Sequence, residues 1–479
     1  MQVEHVEWQN VSVRCPHHER GQDFLCFKSG FESLNDMLAF SEKTYGDRDF
    51  VVDAGRRMTF AQFFQASRKL ASSIALMPGI QAGDRVGVCG KNSLEWMLCY
   101  VAVVSCGLIA VPMNSWWTAK ELQYAMHHAG LALMFADMER VERLGDVTNI
   151  SNTRVVSMDA PGFYKALIGE DHSTAATSAK FPYSSDDAAM IMYTSGTTSF
   201  PKGVVLTHRG IAHQLNVFNL SRKSTKSTLG EATLLPVPLF HATGLYSCMF
   251  NALIFGRKIV LMGKWNVDHA LELIEAEKVT HLTAVPTMVL ELMSQSSKTT
   301  RDTSSLRQVG SGGAPPPAGV AQNIKRHFNG ANPSQGYGLT EVNAVATTIS
   351  SKDYLNKPTS CGKPVPGVQV EIWTEEQDNV QCAPGVVGRI VIRGANLMRE
   401  YWNDLEATSK AITKDGFFKC GDLGYLDEDG FLYIAGRSQD LIIRGGENVS
   451  ARTVEEAVYA NLPDVQECAR VRRAARETG

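Results

Sequence analysis

The sequence predicts an α/β protein. It has a large body of mostly parallel sheets covered by helices, then a β-rich subdomain. Three observations predict this. Short Val/Ile-rich runs alternate with helical stretches through most of the chain. After about Gly362 the pattern changes to short strands separated by turns. At 479 residues, 44% of them hydrophobic, the chain can bury more than one core.

Taken in order, Met58 to Leu76 carries Phe60, Phe63, Phe64, Leu70, Ile74 and Leu76 at roughly helical spacing. The most apolar stretch, Trp96 to Pro112, is interrupted by Ser105 and Gly107 and falls short of the ~20 residues a spanning helix needs. It reads as a buried helix running into a buried strand. Val86 to Cys89, Ile109 to Pro112, Leu133 to Ala136 and Arg154 to Met158 read as strands. Asp171 to Asp187 and Ser294 to Ser305 read as surface loops, Val267 to Lys278 as a helix and Val279 to Val285 as a strand. Later strands are expected at Val368 to Trp373, Val387 to Arg393, Gly424 to Leu426 and Phe431 to Ile434, with a hairpin turn at Asp427 to Gly430. The β-rich part is expected at about 362–436.

A formal charge of -3 and no long Lys/Arg run give no basic footprint for nucleic acid or an anionic membrane. The ten cysteines form no CxxC pair, and Cys15, His17 and His18 have no second pair opposite them, so free thiols and a surface segment are expected. Glu4, Glu7 and Gln9 stand where a secretory signal needs a basic start and an apolar run. An intracellular, by default cytoplasmic, location is expected, with a peroxisomal address left open.

The segment Tyr193-Thr-Ser-Gly-Thr-Thr-Ser-Phe-Pro-Lys-Gly203 lies between apolar runs at Ala188 to Met192 and Val204 to Leu206. Thr194, Ser195, Thr197 and Thr198 surround Gly196, so backbone N–H and side-chain O–H groups can converge on phosphate oxygens, with Lys202 adding a point charge. The order is wrong for a Walker loop, because the lysine precedes a glycine and a strand. This segment resembles the phosphate loop of the adenylate-forming superfamily, which includes acyl-CoA synthetases, coumarate-CoA ligases and luciferases.

Two further matches follow in the order of that family. Asn332-Pro-Ser-Gln-Gly-Tyr-Gly-Leu-Thr-Glu341 is similar to its nucleotide motif. The resemblance implies that Tyr337 stacks on adenine, Thr340 touches the α-phosphate and Glu341 holds Mg²⁺, with Gly336 and Gly338 allowing close backbone approach. Gly421-Asp422, with the stretch from Ile434 through Arg437 to Val449, is similar to the third motif. There Asp422 and Arg437 would reach the ribose or phosphate, with Ile434 beside them. The resemblance implies a division into 1–439 for the body and 440–479 for the start of a small α+β domain, with Asp440 as its pivot and Gly445 and Gly446 in a loop facing the site.

The implied reaction is attack of a carboxylate on the α-phosphorus of ATP, then displacement of AMP by coenzyme A. Thr194, Lys202, Thr340 and Mg²⁺ on Glu341 would stabilise developing charge. Three segments, Pro238 to Tyr246, Val285 to Thr287 and Gly310 to Pro315, would line the acyl pocket. His241, Thr243, Gly244 and Val285 would face the acid, and Gly312, Gly313 and Ala314 the adenine and acyl chain. No aspartate stands between Pro238 and Phe250 to pair a substrate ammonium, which favours a fatty or other hydrophobic acid over an amino acid. A coumarate-CoA ligase, a luciferase-like enzyme, or a non-catalytic nucleotide- or acyl-binding protein are the alternatives.

The resemblance also implies about another 80 residues beyond Gly479, a domain of ordinary small size carrying the family's catalytic lysine. Val454 to Val458 starts that domain, but Arg470 to Gly479 does not resemble it. The expectation is a frameshift: with suitable codons, reading one nucleotide later from Arg470 restores an apolar continuation. Adenylation by this chain is then expected to be impaired. Sequencing the locus and its transcript tests this, and codons that do not permit the shifted reading would refute it.

Overall fold

The computed structural model describes residues 11–17, 22–145, 153–163, 181–194, 200–224, 230–313, 319–438, 442–444 and 447–449. Two large sheets form the body. In the first, Arg154–Ser157, Leu131–Ala136, Arg85–Cys89, Ile109–Met113 and Ala188–Thr194 run parallel in that spatial order. Lys202–Thr207 and then Glu400–Tyr401 add antiparallel edges. In the second, Asn332–Tyr337, Gln308–Ser311, His281–Ala284, Ala232–Leu235, Lys258–Leu261 and Asp49–Asp53 are parallel. Its antiparallel outer strands are Thr347–Ser350 and Lys363–Pro364 at one edge and Arg56–Thr59 at the other. The predicted α/β class and parallel pairing are therefore both present.

Helix starts follow from local chemistry. Ser33, Thr59 and Thr118 each accept from the backbone N–H three residues on, and Asp36, Gln62 and Glu121 reach back to the cap, forming three capping boxes. The helix Leu94–Ser105 is buried almost throughout, with Trp96 stacked on Tyr100 at 5.5 Å. Its one buried acid, Glu95, is ion-paired with Arg56. It runs into the buried strand Ile109–Met113, as its sequence predicts. One continuous apolar core joins this helix, both large sheets and the later β-rich strands.

Several boundaries differ from expectation. Met58 and Thr59 close the strand Arg56–Thr59, and the helix is Phe60–Ala75; Leu76 caps it and is 76% exposed, so it is not part of the apolar stripe. Lys278 adopts a left-handed conformation (φ 50°) that ends its helix, and the next strand starts only at His281. The helix Pro286–Ser296 runs through Ser294, which was expected in a loop, because Leu292 and Met293 continue its buried face. The strand expected at Gly424 spans Phe418–Leu426, with Gly421 at φ 80° breaking the apolar pattern that the sequence reading relied on.

Val368–Trp373, Gly388–Gly394, Phe418–Leu426 and Leu432–Arg437 form a four-stranded antiparallel sheet. Within 362–436, however, Lys363–Pro364 and Glu400–Tyr401 belong to the two large sheets. Cys15 and His17 lie on the strand Val11–His17, while His18, Asp440, Gly445, Gly446 and residues 451–479 lie outside the described residues. Among the described residues no helix is long and apolar enough to cross a membrane, and eight cysteines are free, six of them buried.

Candidate active site

Thr194 and Lys202 face each other as the last pair of an antiparallel hairpin, followed by Tyr193 opposite Gly203. Ser195, Gly196, Thr197 and Thr198 lie outside the described residues, as does Ala314. Tyr193 and Phe200, which flank those residues in sequence, join one aromatic column. Phe200 stacks on Tyr124 at 4.3 Å, Tyr124 stacks on His128 at 5.2 Å, and the Nδ1 of His128 is 2.9 Å from the Tyr193 hydroxyl.

The strand Asn332–Tyr337 delivers the second motif. After Tyr337 the chain turns through a 3-10 helix, Thr340–Val342, and doubles back so that Ala346 N–H donates to the Tyr337 carbonyl at 2.8 Å. Asn343, fully buried at φ 53°, holds this return: its Nδ2 donates to the Asn396 carbonyl at 2.7 Å, and its Oδ1 accepts from Tyr246. Asn396 Nδ2 in turn donates to the Val342 carbonyl at 2.9 Å. Gly338 sits inside the bend, where a Cβ would lie 2.2 Å from the Ala344 carbonyl oxygen.

The turn places the Glu341 carboxylate in a buried position, where Oε1 accepts from the Tyr401 hydroxyl at 2.9 Å. Burial raises its pKa, helped by Asp422, while a backbone N–H, the Tyr401 hydroxyl and Arg437 act the other way. The Nζ of Lys202 stands 5.0 Å from the centroid of the same Tyr401 ring. A buried carboxylate for which charge is unfavourable, linked through Tyr401 to the hairpin lysine Lys202, fits a hard cation such as Mg²⁺.

The third motif meets the second directly. Tyr337 donates its hydroxyl to Asp422 Oδ2 at 2.7 Å, and Arg437 Nε stands 3.3 Å from Asp422 Oδ1 across a paired position of the ladder. Burial raises the Tyr337 pKa, so it remains a neutral phenol. Arg437 is mostly exposed, and Ile434 pairs with Gly424 against the core.

A cavity of about 570 Å³ opens beside this turn. Its lining includes His241, Thr243, Val285, Gly312, Gly313, Gly336, Gly338 and Thr340. Gly244 lies behind that wall, packed so that a Cβ would meet the Pro238 carbonyl oxygen at 2.2 Å. His241 is exposed at the cavity mouth rather than sealed in the core, and desolvation by surrounding protein lowers its pKa, which keeps the ring neutral. The segment Thr243–Phe250 is a π-helix, a wide turn common at functional sites.

Sequence reasoning did not identify Tyr401, Asn343 and Asn396, because nothing local distinguishes them. Trp116 was also missed. It is 66% exposed and edges onto Phe240 at 5.4 Å and His241 at 6.1 Å, and the adjacent tryptophans Trp116 and Trp117 were the available signal.

Known proteins are similar to this chain in sequence and fold. A sequence profile described as AMP-binding enzyme matches residues 39–402. A long-chain-fatty-acid–CoA ligase of Bacillus subtilis is 31% identical, over 89% of this chain and 80% of its own. A 2-succinylbenzoate–CoA ligase of Bacillus licheniformis is 32% identical, over 88% and 83%. The o-succinylbenzoate coenzyme A synthetase of Bacillus subtilis, solved with ATP and magnesium ion, superposes with a TM-score of 0.75 at 28% identity, covering 89% of this chain and 84% of that one. The matched region contains the hairpin, the cavity and the Tyr337–Glu341 turn, and this chain belongs to the AMP-binding enzyme family.

Proposed function

We propose that this chain is an acid–thiol ligase that activates a hydrophobic carboxylic acid with ATP and passes the acyl group to coenzyme A, a fatty acid being the favoured substrate. The observation that carries this reading is the cavity, which ends on the Gly336–Thr340 segment next to the buried Glu341 carboxylate. Near that segment its lining combines small and apolar groups with neutral His241. Its one acidic side chain among the described residues, Glu231, is paired with Arg257, which leaves no partner for a substrate ammonium.

In this reading Tyr337 offers its ring to adenine, held by Asp422, and Asp422 and Arg437 face the ribose. Thr194, Ser195, Gly196, Thr197, Thr198 and Lys202 surround the phosphates, and Thr340 lies against the α-phosphate. Glu341 would hold Mg²⁺, which neutralises charge between the phosphates. The acid, entering past His241 and Trp116, lies along the cavity with its carboxylate toward Thr340. Lys202 and the hydroxyls stabilise the charge that develops as pyrophosphate leaves, and the protein needs no nucleophile of its own.

The test is release of AMP and pyrophosphate from ATP over a panel of fatty and aromatic acids, with and without coenzyme A. AMP formation that depends on a fatty acid is the expected result. Aromatic acids turning over fastest would favour a coumarate-type ligase. ATP binding without AMP formation from any acid would leave a binding protein.

The aromatic column yields a further expected result. Tyr124→Ala removes two stacked contacts, each worth about 0.5–1.5 kcal/mol. The KM for ATP should rise about three- to tenfold with little change in kcat, while Tyr124→Phe stays near wild type. An unchanged KM in Tyr124→Ala would show that the column does not position the hairpin.

A further inference from the structure

The cavity runs along one face of the nine-stranded sheet. Its near end is the layer of Val285, Gly312 and Gly336, and its far end the layer of Thr233, His281 and Gln308, which are neighbours in register. The two layers are four residues apart along their strands, about 13 Å. That distance suits an extended acid of about ten carbons, taking about 1.3 Å per bond.

The far end is polar. Arg257 and Glu231, both buried, pair at 2.9 Å, and Arg257 Nη1 donates to Asn251 at 2.9 Å. These three residues line the cavity together with His281. Desolvation and the nearby Arg257 bring the His281 pKa down to about 3, so the ring is neutral at physiological pH. Its Nδ1 stands 2.8 Å from the Thr280 hydroxyl, and no other hydrogen bond to the ring occurs among the described residues. A neutral imidazole thus presents its remaining nitrogen, as donor or acceptor according to tautomer.

Each terminal group of an acid would meet this wall differently. A methyl group displaces water from polar groups and returns no hydrogen bond. A carboxylate enters beside Glu231, whose counterions are Arg257 and, at 3.7 Å, the half-exposed Arg307 that is not part of the cavity lining, and so brings a second negative charge against an arginine that is already paired. A hydroxyl both donates and accepts, and so suits either histidine tautomer and the arginine alike.

We infer that the far end of the cavity, built by Glu231, Arg257 and His281, selects carboxylic acids of about ten carbons that end in a hydroxyl group. This rests on the ligase reading only for which end of the acid meets ATP.

Binding of decanoic, 10-hydroxydecanoic and decanedioic acids, measured by calorimetry on the full chain without ATP, tests it independently of turnover. The hydroxy acid should bind at least about tenfold more tightly than the other two. In His281→Leu that preference over decanoic acid should fall below about threefold, with ATP affinity kept as the sign of an intact fold. Equal or tighter binding of decanoic or decanedioic acid to the wild type, or binding of none of the three, overturns the inference. Preferred binding of the hydroxy acid without AMP formation on adding ATP would instead uphold the inference and overturn the ligase reading.

Discussion

Replacing Glu341 with Gln is expected to lower acid-dependent AMP formation by about 10²–10³-fold while leaving the apo fold at least as stable as wild type. The amide keeps an oxygen that can accept from Tyr401, so the local hydrogen bond survives, and only the charge is lost. In the apo protein that charge is a cost. Burial raises the folded-state pKa above 4.5, so the ionised form penalises the fold as pH rises through the folded value, and protonation relieves the penalty as pH falls. For a bound cation the sign reverses, because the metal requires the ionised carboxylate. Magnesium-dependent ATP binding should therefore weaken on acidification at a pH above the ordinary carboxylate range, and Gln at 341 should remove that part of the pH profile. The checks are AMP formation at saturating Mg²⁺ and ATP affinity measured from pH 8 to 5 in both proteins. Full activity in the Gln variant would exclude Glu341 as the metal-holding group.

Gly338→Ala is expected to cost about 2–4 kcal/mol of stability and to weaken ATP binding at least tenfold. The added methyl would stand 2.2 Å from the Ala344 carbonyl oxygen, 2.8 Å from its carbon and 2.9 Å from the Ala346 nitrogen. All three atoms are backbone, in a return held by Asn343 and Asn396, so no side-chain rotation relieves the clash. Relief requires the Thr340–Val342 turn to move, and Thr340 and Glu341 move with it. Chemical denaturation and ATP titration check the two parts separately. By comparison, Gly336→Ala should be milder, since its nearest neighbour is the Thr347 carbonyl oxygen at 3.7 Å. If Gly338→Ala matched Gly336→Ala in both measurements, the packing argument would fail.

The α/β class, the mostly parallel pairing, the hairpin segment and the Tyr337–Glu341 motif were legible in the sequence alone. Each is a local pattern: alternation of apolar runs, hydroxyls around a glycine, glycines beside an aromatic ring and a carboxylate. The buried helix within Trp96 to Pro112 was local as well, but its start after Ser93, the start of the earlier helix after Thr59, and the ends at Leu76 and Ser294 came from the structure. Only the tertiary structure decided that Tyr401, on a two-residue edge strand, connects Lys202 with Glu341. Only it joined Tyr337 to Asp422, 85 residues apart, and set Glu231, Arg257 and His281 at the end of one cavity. Those pairings come from strands distant in sequence being brought into register by a shared core. No window of neighbouring residues encodes which side chains such a register places face to face.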